Sequence, residues 1–177
     1  MEPTELTEPE KIVWQALRDQ FGDRVNGCSK FAGQLSIFIE AEIIFELAEF
    51  MKNDSRTGFD LLSDICGVDW ILCPPARFEI VYNFYSISKK LRVLVRTTVA
   101  DCPRPSLRSI QAVYAGADWL EREVYDMLGI EFEGHPDLRR ILTPDDMEGW
   151  PHRKDFPLMY EEPQFSHNKN RPPEIIK

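Results

Sequence analysis

Asp118-Trp119-Leu120-Glu121-Arg122-Glu123-Val124-Tyr125-Asp126-Met127-Leu128-Gly129-Ile130 runs on into Glu131-Phe132-Glu133-Gly134-His135-Pro136-Asp137-Leu138-Arg139-Arg140-Ile141-Leu142. The first part of this stretch predicts a short helix. Asp118 and Glu121 stand three apart, the capping-box spacing that satisfies two orphan N–H groups. Gly129 is placed to end the helix in a left-handed conformation, with Ile130 packing back on Val124. At about 100° per residue, Trp119, Leu120, Val124, Met127 and Leu128 share one arc, and Glu121, Arg122 and Tyr125 fall opposite. Glu123 lies inside the apolar arc. A carboxylate there loses several kcal/mol of hydration unless it is paired. Arg139 and Arg140, folded back by the Gly134–Pro136 turn, are the nearest cations in sequence. Glu123 is therefore expected to be a buried ion-pair partner, with proton transfer as the alternative role.

The elements before this stretch predict what the helix packs on. Thr7 to Phe21 reads as a helix, with Thr7 and Glu10 as a capping box, Pro9 in the first turn and Gly22 at the end. Its stripe is Ile12, Val13, Ala16, Leu17 and Phe21. Val25–Phe31 and Gln34–Glu40 form a hairpin turned at Ala32-Gly33. Glu42–Lys52 is a helix with Ile43, Ile44, Leu47, Ala48 and Met51 on one side. Strands follow at Phe59–Val68, Arg77–Ile87 and Leu91–Val99; Pro74-Pro75 separates the first two, and Ser88-Lys89-Lys90 joins the last two. A short helix is expected over Leu107–Tyr114, capped by Ser106. The fold class is α+β: a mixed, mostly antiparallel sheet with helices packed on it.

Beyond Leu142 the texture changes. Six prolines accompany Trp150, Phe156, Tyr160 and Phe165, and neither helical nor strand periodicity survives. Proline prevents regular pairing, while the aromatics need a surface to bury against. The expected organisation is an α+β domain over 1–142 and an extended, Pro-rich, partner-binding tail over 143–177. The alternative is a tail packed back on its own domain.

Composition narrows the function. The chain has 177 residues, a net charge of −9 and 43% hydrophobic residues, eleven Phe and four Trp among them. The acidity argues against a nucleic-acid partner or a polybasic lipid contact. No apolar run is long enough to span a bilayer, and the acidic start does not look like a signal peptide. A cytosolic chain that reaches a membrane only through partners is expected. Cys28, Cys66, Cys73 and Cys102 lack zinc or cluster spacing and are read as reduced thiols. His135, His152 and His167 have no Gly-flanked nucleophile near them, and no phosphate-binding Gly-rich loop is present. His135 is expected to brace its turn rather than bind a metal. The carboxylates of Glu121, Glu123 and Asp126 do not share one helix face, which argues against a catalytic site formed by them with His135.

The pattern Glu121-Arg122-Glu123, Asp126, Met127-Leu128, His135, Arg139 and Ile141-Leu142 resembles the signature of the C subunit family of proton-pumping NADH:quinone oxidoreductase, respiratory complex I. Leu142-Thr143-Pro144-Asp145-Asp146, Gly149-Trp150-Pro151 and Arg153-Lys154-Asp155 continue the likeness, which is dense over about 117–157. Met147, where members often carry Trp, and His152, often Leu, depart from it. The resemblance implies a non-catalytic structural subunit of the peripheral arm, on the cytoplasmic side of the bacterial inner membrane. It implies no catalytic, cofactor-binding or metal-binding residue in this chain, with FMN, Fe–S clusters and quinone held elsewhere in the complex. The implied partners are the large quinone-cavity subunit (the D subunit) and the Fe–S subunits near it, with no nucleic acid. It marks Glu121, Arg122, Glu123, Asp126, Gly129, His135, Pro136, Arg139 and Arg140 as a structural corner, and Trp150, Pro151, Arg153, Lys154 and Asp155 as a partner-contact tail. The same scaffold role in a related membrane-bound hydrogenase or coenzyme-dependent dehydrogenase complex is the alternative; a stand-alone enzyme is the other.

Overall fold

A computed structural model describes residues 6–71 and 76–157. The Pro74-Pro75 break, Cys73, and the tail from 158 onward, including Tyr160, Phe165 and His167, lie outside the described residues.

Helix α1 spans Glu8–Phe21, with Pro9 in its first turn. Thr7 N–H donates to the Glu10 carboxylate at 2.6 Å, as the capping-box spacing requires. Val13, Ala16, Leu17 and Phe21 are buried, but Ile12 is half exposed, contrary to the predicted stripe. Glu10 is buried in its place and pairs with Lys30 at 2.8 Å. Strands β1 (Val25–Phe31) and β2 (Gln34–Ile39) form the expected hairpin. Ala32 and Gly33 both take positive φ, 49° and 79°, the turn whose twist matches the flanking strands. Helix α2 (Ile44–Asn53) buries Ile44, Leu47, Ala48 and Met51.

Strands β3 (Leu61–Asp69), β4 (Phe78–Ser86) and β5 (Leu91–Val99) complete a sheet of order β1-β2-β5-β4-β3. Only the central β2–β5 pairing is parallel, so the sheet is mixed. Alternation sends Phe78, Ile80, Tyr82 and Phe84 of β4 into the core with Val93 and Val95 of β5 and Leu35 and Ile37 of β2. Val13 and Leu17 of α1 and Leu47 and Met51 of α2 join the same core, as α+β packing requires.

The expected helix over Leu107–Tyr114 is absent. Ser106–Arg108 is instead a short strand, β6, parallel to β7 (Glu131–Glu133). The Pro105 carbonyl accepts Glu131 N–H at 2.8 Å, and Ser106 donates its hydroxyl to Glu133 rather than capping a helix. Pairing with a segment some twenty-five residues away overrides local helical periodicity.

Helix α3 (Ala117–Leu128) packs on β3. Gly67 of β3 makes the close approach possible: a Cβ there would lie 2.2 Å from Leu128 Cδ1 and 3.3 Å from Val124 Cγ1. A Gly67→Ala chain is expected to lose about 1–3 kcal/mol of unfolding free energy in a urea titration, because the buried Leu128 and Val124 side chains must give way.

Candidate functional site

The site is the corner where α3, β7 and residues 135–156 meet. Its construction starts from the face α3 presents. Ala117, Glu121, Val124 and Leu128 repeat at i, i+4, i+7 and i+11, and all are buried. Trp119 is 62% exposed, with the Arg122 guanidinium 4.8 Å over its ring. The helix is therefore rotated from the predicted arc, and Glu123 is exposed, not buried. Neither Arg139 nor Arg140 pairs with it. The Asp118–Glu121 capping box also fails, because Gly116 is the N-cap and Glu121 points into the core.

Glu121 is wholly buried. Its carboxyl accepts Ile110 N–H at 2.8 Å and bonds the Ser109 hydroxyl at 2.6 Å. These bonds tie the segment after β6 to α3. Burial pushes the Glu121 carboxyl up to about 7; the Ser109 and Ile110 bonds oppose the rise and Asp118 adds to it. The His135 ring, its side chain buried, packs beside this group. His135 Nδ1 accepts Asp137 N–H at 3.1 Å, so the ring proton sits on Nε2, which faces the Asp118 carbonyl at 3.2 Å. His135 thus braces its turn.

Asp126, eight residues before Gly134, is also wholly buried. One oxygen accepts three successive backbone amides, Ile141 at 3.0 Å, Leu142 at 2.7 Å and Thr143 at 2.9 Å. The other accepts the Thr143 hydroxyl and Arg140 Nη1. Burial would raise this carboxyl, but the Thr143 hydroxyl and the three amides outweigh it and hold it at about 2. Arg140 also donates to the Gly149 carbonyl at 3.0 Å and lies 4.5 Å over the Trp150 ring.

From there the chain straps the end of α3. Gly129 takes φ 72° and ψ 33°, the left-handed cap read from sequence. Trp150 lies flat against it and meets Tyr125 at 5.3 Å between ring centroids. The last carbonyls of the helix need donors. His152 N–H supplies one to Met127 O at 3.0 Å, and Arg153 Nε supplies another to Leu128 O at 2.6 Å. The Arg153 cation is favourable beside the negative end of the helix. Beyond it, Lys154 N–H donates to Asp69 at 2.9 Å, and Asp155 pairs with Arg77 at 2.8 Å. Arg77 and Asp69 form a bidentate pair at 3.0 Å across the β3–β4 ends. Burial works against the Asp69 charge, yet the Arg77 fork holds its carboxyl below the usual range.

The signature residues are thus largely brought together. Arg122 donates to the Arg139 carbonyl at 3.3 Å, while the Arg139 side chain is exposed and pairs with Asp137. Pro136 is exposed within the turn. Trp150, Pro151 and Arg153 are half-buried against their own domain, and Lys154 and Asp155 are exposed at its edge. Sequence reading does not single out Asp69, Arg77 or Ser109, and it gives Asp118 only a capping role. Opposite charges at the facing ends of β3 and β4 could have pointed to Asp69 and Arg77; nothing local points to Ser109. Because Glu123 is exposed, Glu123→Gln is expected to change stability by less than about 0.5 kcal/mol in a urea titration.

Cys28 and Cys66 do not converge. Cys28 is buried in β1 and Cys66 is exposed in β3, at opposite edges of five strands, roughly 19 Å apart at ordinary strand spacing. Among the described residues no three His, Cys, Asp or Glu side chains gather as metal ligands, and no helix is long and apolar enough to cross a membrane.

Comparison with known proteins places this geometry. The family model described as respiratory-chain NADH dehydrogenase, 30 kDa subunit, matches residues 37–162. The C subunit of NADH-quinone oxidoreductase from Roseiflexus sp. (strain RS-1) is 41% identical over 159 residues, covering 90% of each chain. Its namesake from Rhizobium rhizogenes is 49% identical over 126 residues, 71% of this chain and 61% of the relative. Among solved structures, the trypsin-resistant fragment (1-134) of Nqo5 is 32% identical with a TM-score of 0.59, covering 73% of this chain and 98% of the fragment. A chain of the membrane-bound sulfane sulfur reductase, an archaeal respiratory membrane complex, is 27% identical with a TM-score of 0.72, covering 86% of this chain and 88% of that one.

Proposed function

The chain belongs to the respiratory-chain NADH dehydrogenase 30 kDa subunit family, and on that premise we propose that it is a non-catalytic structural subunit in the peripheral arm of a proton-translocating NADH-quinone oxidoreductase. One observation carries the structural role: the signature's buried charged groups are committed inward. Asp126 is consumed by three backbone amides, a hydroxyl and Arg140. Glu121 and His135 hold α3 to its neighbouring segments. Their bonds shape a corner and leave the strap in a defined place.

What faces outward then meets the neighbours. Trp119 and Leu142 are each 62% exposed beside the corner, and the strap adds the exposed Lys154 and Asp155, with the half-buried Trp150, Pro151 and Arg153 at the rim. Such aromatic and apolar side chains supply interface energy when a partner covers them. The partner is the large quinone-cavity subunit, with Fe–S subunits nearby. FMN, Fe–S clusters and quinone reside in those other subunits, and electrons pass from NADH to quinone through them, coupled to proton translocation. The chain reaches the inner membrane from its cytoplasmic side and only through the complex. A second reading places the same scaffold in a related hydrogenase or coenzyme-dependent dehydrogenase complex; the fold shared with an archaeal respiratory membrane complex favours it.

Purification of the intact complex through a tag on this chain, with identification of every subunit, tests the proposal. Flavin- and cluster-bearing subunits are expected to come with it, while the chain alone is colourless and turns over neither NADH nor quinone. A chain that carries a chromophore, or that oxidises NADH unaided, contradicts the proposal.

A further inference from the structure

Glu121 enters the core where the repeat of α3 calls for an apolar residue. Among the described residues no Lys or Arg is paired with it. Arg122, the next residue, reaches Asp118 Oδ1 only at 4.0 Å and gives its Nε to the Arg139 carbonyl. His135 supplies the facing N–H instead. Its Nε2 lies 3.4 Å from Asp118 Oδ1 and 4.0 Å from Glu121 Oε2. Asp118 Oδ1 is itself buried and makes no hydrogen bond among the described residues. Two carboxyl groups therefore converge on one neutral imidazole: Glu121 is wholly buried, and Asp118 has its Oδ1 buried, with its side chain as a whole 32% exposed.

We propose that Glu121, His135 and Asp118 form a pH-sensitive latch between α3 and the β6–β7 corner, in which the closed corner holds a proton that the open corner releases. Two ionised carboxylates facing one neutral N–H repel each other, and the burial of Glu121 and of Asp118 Oδ1 weakens the screening between them. A proton on Glu121 removes that repulsion. It leaves one oxygen free to accept Ile110 N–H, and the new hydroxyl has the Ser109 oxygen at 2.6 Å as its acceptor. The other groups facing the site do not replace the proton. Tyr82 of β4, wholly buried, is raised by its burial and by the Glu121 charge. Ser109 is neutral, Asp137 offers only its N–H, and Arg139 only its carbonyl.

The sign follows from Glu121, whose ordinary value of 4.5 rises to about 7 in the folded chain. The stability it adds is complete below the unfolded value and is lost as pH rises through the folded one. The latch is tight in mild acid and loosens above neutrality. This behaviour belongs to the chain itself, so its failure leaves the scaffold role untouched, and the reverse holds too.

Infrared titration of the full chain provides the test. A neutral-carboxyl band is expected to persist near pH 6, where ordinary carboxyls have ionised, and to vanish with a midpoint near 7. Glu121→Gln removes the band. Asp118→Asn lowers its midpoint by about half a unit or more, because a neighbouring negative charge is gone. Exchange of the Ile110 amide, corrected for intrinsic pH dependence, accelerates above neutrality in the natural chain. A band that is missing near pH 6, or a midpoint that Asp118→Asn leaves in place, overturns the latch. The Asp118→Asn comparison decides the matter even if Glu121→Gln does not fold.

Discussion

Asp126→Ala lowers the unfolding free energy by about 3–5 kcal/mol, the scale for removing one partner from a buried, charge-assisted network. The size follows from what the carboxylate holds. Three successive amides at Ile141, Leu142 and Thr143 point at one oxygen, and Arg140 points at the other. Alanine leaves those amides without their acceptor and takes the counter-charge from Arg140, which keeps only the neutral oxygens of Thr143 and Gly149. Each half-buried amide so stranded costs about 1–3 kcal/mol unless water reaches it. Urea titrations of both chains across pH check the assignment. The Asp126 carboxyl sits at about 2, below its ordinary 3.8. A depressed value contributes stability that is present above the unfolded value and is lost as pH falls through the folded one. The gap between natural chain and variant is therefore full near neutrality and narrows as pH falls from about 3.8 toward 2, with a remainder left from the hydrogen bonds that a neutral carboxyl still makes.

Gly129→Val costs about 3–4 kcal/mol, from two sources that act together. Its φ of 72° lies in the left-handed region, where an L side chain costs about 1–2 kcal/mol and a β-branched one sits at the upper end. The added Cβ would also lie 2.4 Å from Trp150 Cε2, and overpacking of that kind costs about 1–3 kcal/mol. The indole has to leave the helix end. Trp150 then loses Tyr125 and the Arg140 guanidinium, and the strap loses its anchor. Unfolding measurements report the energy. Limited proteolysis within 143–157 and a red-shifted Trp emission report the displaced strap.

Much of the fold was legible because its signals are local. The β1–β2 turn needs positive φ at two positions, and Ala32-Gly33 declares it. The stripe of α2 and the β4–β5 hairpin follow from periods of 3.6 and 2. The parallel β2–β5 pairing is a long-range choice that no window contains. The rotation of α3 was hidden by Trp119. A large apolar side chain dominates a moment, yet here it stands in solvent under Arg122. The carboxylate that enters the core is Glu121, because Ser109 and Ile110 receive it from a segment that looked helical. A buried polar group can be placed only when its partner is known. Gly129 was legible as a cap and His135 as a turn brace, whereas Asp126 was marked only by resemblance, and its nest of amides became visible only with residues 141–143 in position.

The most direct measurement takes cells carrying Asp126→Ala, quantifies the assembled complex and determines NADH:quinone turnover per assembled complex in the same membranes. A subunit that shapes and joins predicts markedly fewer complexes, each turning over at close to the natural rate. Normal amounts of complex with turnover lost would contradict that claim and assign this carboxylate to the reaction itself.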